Sequence, residues 1–286
     1  MAVQNSLQQR QPKTGITAYM NSEKTIEYIN RSLGAANKQR FVTGVISAVN
    51  NNPALQECTN QSILAGALLG ESLKLSPSQQ LGQYYLVPFN DNKKGKVAQF
   101  QLGYKGYIQL AIRSGQYKKL NVLAIKEGEL IKFDPLNEEI EVKLISNEEE
   151  REQAKTIGYY AMFEYVNGFK KALYWSRSKM EAHALKYSAG YANDKKKGTA
   201  WTFWTKDFDG MAYKTMLRQL ISKWGIMSIE MSTALNSDYA VINEDGTKNY
   251  VETDEENIIE AEFTEQSEIV EPAEETPSAQ DALFGN

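Results

Sequence analysis

Residues 84–104, YYLVPFNDNKKGKVAQFQLGY, decide the fold class. Two β-rich runs, Tyr84–Phe89 and Val97–Tyr104, flank Asn90-Asp91-Asn92-Lys93-Lys94-Gly95, which reads as an antiparallel hairpin closed by a basic loop. The period then changes. Tyr107, Ile108, Ala111 and Ile112 recur at helical spacing from Gly106 to Ser114, and Gly115 is placed to end that helix. A hairpin running straight into a helix points to an α+β chain.

Upstream of the hairpin the grain is helical. Ser22 precedes Thr25, Ile26, Ile29 and Leu33; Phe41, Val45, Ile46 and Val49 repeat the period; Asn50-Asn51-Asn52-Pro53 breaks it. A third helix is expected from Thr59 or Asn60 through Ile63, Leu64, Ala67 and Leu68, with Gly66 and Gly70 spaced for plain core packing or a close helix approach. Downstream, strands are expected at about 120–126, 130–133 and 139–145, then a hairpin, 156–166 and 169–175, closed by Asn167-Gly168. Ser176 or Ser178 caps a helix to about Tyr187, residues 189–199 read as a mobile basic loop, and a helix capped near Thr205 or Asp207 carries Lys214 and Arg218 four apart on one face.

The expected organisation is a disordered arm (1–21), a core (22–237) with a helical lobe (22–82) packed on an antiparallel sheet with inserted helices (83–237), and an acidic disordered tail (238–286). Charge supports these divisions. Formal net charge is −4, yet residues from Asp238 onward hold 15 acids against Lys248, which leaves residues 1–237 with 31 bases and 21 acids. From Lys93 to Lys126 there are eight Lys or Arg residues and no Asp or Glu, interleaved with Phe100, Tyr104, Tyr107 and Tyr117. Such a stretch suits a polyanion whose phosphates meet cations and whose bases meet rings, although a solvated charged face has the same composition.

Several function classes lose their footing on inventory. No G-x-x-x-x-G-K-[ST] loop is present, His183 is the single histidine and Cys58 the single cysteine, so neither P-loop hydrolysis nor a His- or Cys-based centre has a motif, and no cofactor is expected. A lone cysteine and the lack of any long apolar run fit a cytoplasmic protein without a membrane partner. Asp134, Glu141 and Lys143 loosely resemble the carboxylate and lysine set of metal-dependent nucleases. Against that stands the alternation of Ile140, Val142 and Leu144 with Glu139, Glu141 and Lys143, which a strand with one wet face requires.

Three stretches carry a family resemblance. Asn52-Pro53-Ala54-Leu55 with Ile63–Leu69 and Leu81-Gly82-Gln83-Tyr84-Tyr85-Leu86-Val87-Pro88-Phe89 is one; Gln101-Leu102-Gly103-Tyr104-Lys105-Gly106, continuing through Leu110–Gln116, is the second; Met211–Leu220 is the third. In order and spacing, over about residues 25–235, they resemble the RecT family of phage single-strand annealing proteins. The resemblance implies a non-enzymatic protein in a bacterial host cell that binds single-stranded DNA and anneals complementary strands to duplex without ATP. It also implies assembly into rings or helical filaments and partnership with a phage exonuclease. Candidate DNA contacts on the residues are Lys105, Arg113, Lys118, Lys214 and Arg218, then Tyr104, Lys186, Lys206 and Lys223. A metal-dependent nuclease and a DNA-free oligomeric scaffold stay open as alternatives. Beyond the matched region, Leu283 and Phe284 close an acid-rich end and resemble the partner-docking tips of bacterial single-strand binding proteins, although Phe284 is not terminal; contact with a host single-strand binding protein is the expectation, a solubilising tail the alternative.

Overall fold

The computed structural model describes residues 15–91, 94–243 and 245–250. Helices and antiparallel strand pairs alternate along the chain, as an α+β fold requires. The acidic end, with Leu283 and Phe284, lies outside the described residues.

The helical lobe comprises α1 (Ile16–Met20), α2 (Glu23–Leu33), α3 (Ala35–Asn50), α4 (Pro53–Gln56) and α5 (Asn60–Ser72). Ser22 caps α2 by accepting from the Thr25 N–H. Ile29 of α2, Val45 and Val49 of α3 and Ile63 and Ala67 of α5 are buried together, the stripe that their spacing announced. Strands β1 (Tyr84–Asp91) and β2 (Gly95–Leu102) form the expected hairpin, in register from Tyr84↔Leu102 to Asp91↔Gly95. A Cβ at Gly66 or Gly70 would collide with Leu86 or with the Tyr84 ring, so these glycines admit strand β1 rather than a second helix.

After α6 (Tyr104–Arg113), strands β3 (Tyr117–Lys126), β6 (Thr156–Tyr165) and β7 (Lys170–Ser176) build a sheet in the order β3-β6-β7. Between them lie the separate hairpin β4 (Leu130–Asp134) and β5 (Glu139–Val142) and the short α7 (Glu148–Gln153). The second sheet is covered by α8 (Arg177–Tyr187), α9 (Ala189–Lys197), α10 (Phe203–Lys206) and α11 (Phe208–Trp224). Helix α12 (Ile229–Leu235) leads to β8 (Ala240–Ile242) and β9 (Lys248–Tyr250), which extend the first sheet to the order β1-β2-β8-β9.

Three expectations differ from this picture. Residues 16–20, within the stretch read as an arm, form a helix with Ile16 and Met20 buried. The lysine-rich segment 189–197 is helix α9 rather than a loop, capped by Ser188 and ended by Gly198 at φ 68°. Residues 238–250, within the stretch read as tail, contain buried Asp238 and strands β8 and β9. In each case tertiary burial outweighs a polar local composition.

Helix α11 joins the two halves. Its Leu217 and Ile221 lie in the core shared with the helical lobe, whereas Ala212, Met216 and Leu220 lie in the core beneath the second sheet. A third face, carrying Lys214 and Arg218, is left to neither core.

Candidate nucleic-acid interface

Along that third face of α11 opens a cleft of about 750 Å³. One wall comes from β1, β2 and the β8–β9 segment, through Val87, Phe89, Gln99, Gln101, Tyr239 and Tyr250. The other comes from β7, α8 and the segment before α10, through Trp175, His183, Tyr187, Trp201 and Phe203. Lys206, Lys214 and Arg218 also line it.

The floor is a buried charge cluster. Lys214 Nζ lies 3.0 Å from Asp238 Oδ1, and Arg218 Nη1 lies 2.6 Å from Asp238 Oδ2. The same carboxylate accepts from the Leu102 N–H at 2.9 Å and from the Tyr107 hydroxyl at 3.3 Å. Burial works to discharge Lys214, and Asp238 together with Tyr239 beside it more than offsets that, holding the ammonium above the ordinary lysine range. The sequence pairs Lys214 with Arg218 on one helix face correctly, but their charge is shared with Asp238 and is not wholly free for a phosphate.

A second carboxylate shapes one wall. Asp194 on α9 accepts from the Thr199, Thr202 and Thr205 hydroxyls at 2.7, 2.8 and 2.7 Å and from the backbone N–H groups of Trp201 and Thr202 at 3.1 and 2.8 Å. Desolvation opposes its charge, yet these donors lower its pKa to about 2. All five donors lie within residues 199–205, so Asp194 fixes the segment that presents Trp201 and Phe203 to the cleft. Trp201 is 40% exposed whereas Trp204 is buried.

The remaining candidates scatter. Lys105, exposed at the start of α6, packs its stem near Gly82 beside the Tyr85 hydroxyl, and the Tyr85 ring meets Phe203 of the cleft wall at 5.9 Å. Tyr104 is partly buried, edge-on to Tyr213. Arg113 donates to the carbonyls of Leu73 at 2.7 Å and Lys74 at 3.2 Å, just past the C-terminus of α5, so its guanidinium closes a helix end. Lys118, with Lys119 and Lys170, surrounds the Glu164 carboxylate away from the cleft lining. Lys186 sits over the ring of Tyr187, and Lys223 lies in the last turn of α11. His183 packs between Trp175 and Tyr187 at 5.3 and 4.5 Å, and burial followed by nearby Lys186 lowers its pKa.

The nuclease set does not assemble. Asp134 spends its carboxylate on the N–H groups of Leu136 and Asn137 and on the Asn137 amide, closing the β4–β5 turn, and Glu141 pairs in register with Lys132. Among the described residues no cluster of three or more His, Cys, Asp or Glu side chains is placed to hold a metal ion. Sequence reasoning missed Tyr187, Tyr239 and Tyr250 of the cleft, which carry no local motif.

Comparison with known families places this mixed helix-and-sheet chain among recombination proteins. The model of the RecT family matches residues 39–263, and the chain belongs to that family. It is 30% identical over 245 residues to Protein RecT of Escherichia coli (strain K12), covering 81% of this chain and 86% of that one. It is also 36% identical over 291 residues to the uncharacterized protein YqaK of Bacillus subtilis (strain 168), covering 98% of this chain and 92% of the relative.

Proposed function

We propose that this protein binds single-stranded DNA along the cleft and anneals complementary strands without nucleotide hydrolysis. The observation that carries the reading is the α11 cleft, where rings on both walls lie close to Lys206, Lys214 and Arg218 in a chain of the RecT family. Annealing demands a groove that neutralises phosphates without reading sequence, and base pairing then supplies on the order of 1.4 kcal/mol per stacked step, so no fuel is required.

Assembly of several copies into a ring or filament would lengthen the groove. A bacterial cytoplasm, a phage exonuclease that exposes single strands, and a host single-strand binding protein complete the reading. No helix among the described residues is long and apolar enough to cross a membrane.

The test mixes purified protein with two labelled complementary oligonucleotides in chelator and without ATP. Faster duplex formation than in buffer is the expected result. Degradation of the strands on adding magnesium would favour the nuclease alternative, and no effect on either strand would leave the scaffold.

A further inference from the structure

The cleft divides its chemistry unevenly. Rings dominate its walls, while the two floor cations, Lys214 and Arg218, already share the buried Asp238 carboxylate. A phosphate lowered to the floor would have to compete with a carboxylate that is fully desolvated and bonded to four donors. A flat uncharged ring meets no such competitor.

Tyr239 is built into this arrangement at a cost. Its φ is 67°, in the left-handed region where a side chain other than glycine's is disfavoured. Two bonds hold it there: its N–H donates to the Phe100 carbonyl at 2.9 Å, and its carbonyl accepts from the Gln99 amide at 2.7 Å. The result is a ring that lines the cleft, one face covered by Lys214 Nζ at 4.2 Å from its centroid and 38% of the residue exposed, so a base would stack on the opposite face. A glycine would satisfy the backbone without cost, so what the strain secures is the ring.

We infer that the cleft takes an unpaired nucleobase and that Tyr239 is a stacking platform for it, with Lys206, which also lines the cleft, near the strand's phosphates. The inference rests on the single-strand reading above and deepens it. Stacking engages the face of a base, which every base has, so such a contact does not depend on sequence.

The test uses the full chain and two fluorescent oligonucleotides of equal length, one of deoxythymidine and one of abasic sites, which carry the same phosphates. Tyr239→Gly removes the ring while relieving the backbone, so folding is protected; Tyr239→Phe keeps the ring. Binding is read by anisotropy. The parent and Tyr239→Phe are expected to bind the thymidine strand more tightly than the abasic strand. Tyr239→Gly should lose about tenfold on the thymidine strand and less than about twofold on the abasic one. Equal losses on both strands, or no loss on thymidine while the parent binds it, would overturn the stacking role and leave a phosphate-only groove. A parent that binds neither strand would overturn the single-strand reading itself.

Discussion

Lys214 and Asp238, 24 positions apart in sequence, are held 3.0 Å apart in the interior of the protein, both almost wholly out of water. Asp238 also pairs with Arg218. Removing one partner of such a buried cluster leaves the others uncompensated, which costs about 3–5 kcal/mol. Asp238→Ala is therefore expected to lower the thermal midpoint more than Lys214→Ala, since the latter leaves the carboxylate paired with Arg218. Calorimetry of the two variants checks this. An equal midpoint for Asp238→Ala and the parent would remove the cluster from the list of what holds β8 to α11.

Lys105 and Arg113, read together in the sequence as one phosphate-binding face, should separate in experiment. Arg113→Ala deletes hydrogen bonds to the Leu73 and Lys74 carbonyls and is expected to cost stability, about 1 kcal/mol, with little change in the salt dependence of DNA binding. Lys105→Ala should do the reverse. One lost phosphate contact lowers the slope of log affinity against log salt by about 0.7 for a single strand. Unfolding curves and a salt titration of both variants decide between this division and a shared role.

Acid should loosen the Trp201 wall. The Asp194 pKa is about 2 in the folded protein against an ordinary 3.8, so ionised Asp194 contributes stability that is fully present above the ordinary value and is lost as pH falls toward 2. Tryptophan fluorescence followed from pH 5 to pH 2 should report the change. In Asp194→Asn the acid limb should shrink, because the group that titrates is gone, and the variant should be less stable at pH 7. An unaltered acid limb would place the titration on other carboxylates.

The chain beyond Tyr250 carries 12 acids and no base, and Tyr250 itself lines the cleft. Competition between this segment and DNA would be electrostatic and screened over a distance of about 10 Å at 0.1 M salt. Removing residues 251–286 is expected to raise single-strand affinity at low salt and to matter little at high salt. Docking of a partner should instead depend on apolar burial, about 1.5–3 kcal/mol for each of Leu283 and Phe284. Leu283→Ala with Phe284→Ala should therefore leave annealing of naked strands intact and impair it on strands coated with the host single-strand binding protein. Parity in both assays would reduce the segment to a solubilising role.

Taken alone, the amino-acid sequence determined what depends on neighbours within a few positions. The alternation across residues 84–102, the Asn167-Gly168 turn and the i, i+4 placement of Lys214 and Arg218 are all local, and pleat, turn and helical pitch translate them directly into geometry. Family membership was legible for the same reason, since its motifs are contiguous. Tertiary structure alone decided which cations are spent. Counting charge along residues 93–126 could not show that Arg113 would close a helix end, that Lys118 would turn to Glu164, or that Asp238, read as the first acid of a tail, would be drawn into the core beneath Lys214. An ion pair is set by distance in space and by the loss of water around it, and neither is a property of position along the chain. The cleft is decided the same way: Tyr187, Trp201 and Tyr239 come to line one cavity only when their elements have packed around α11.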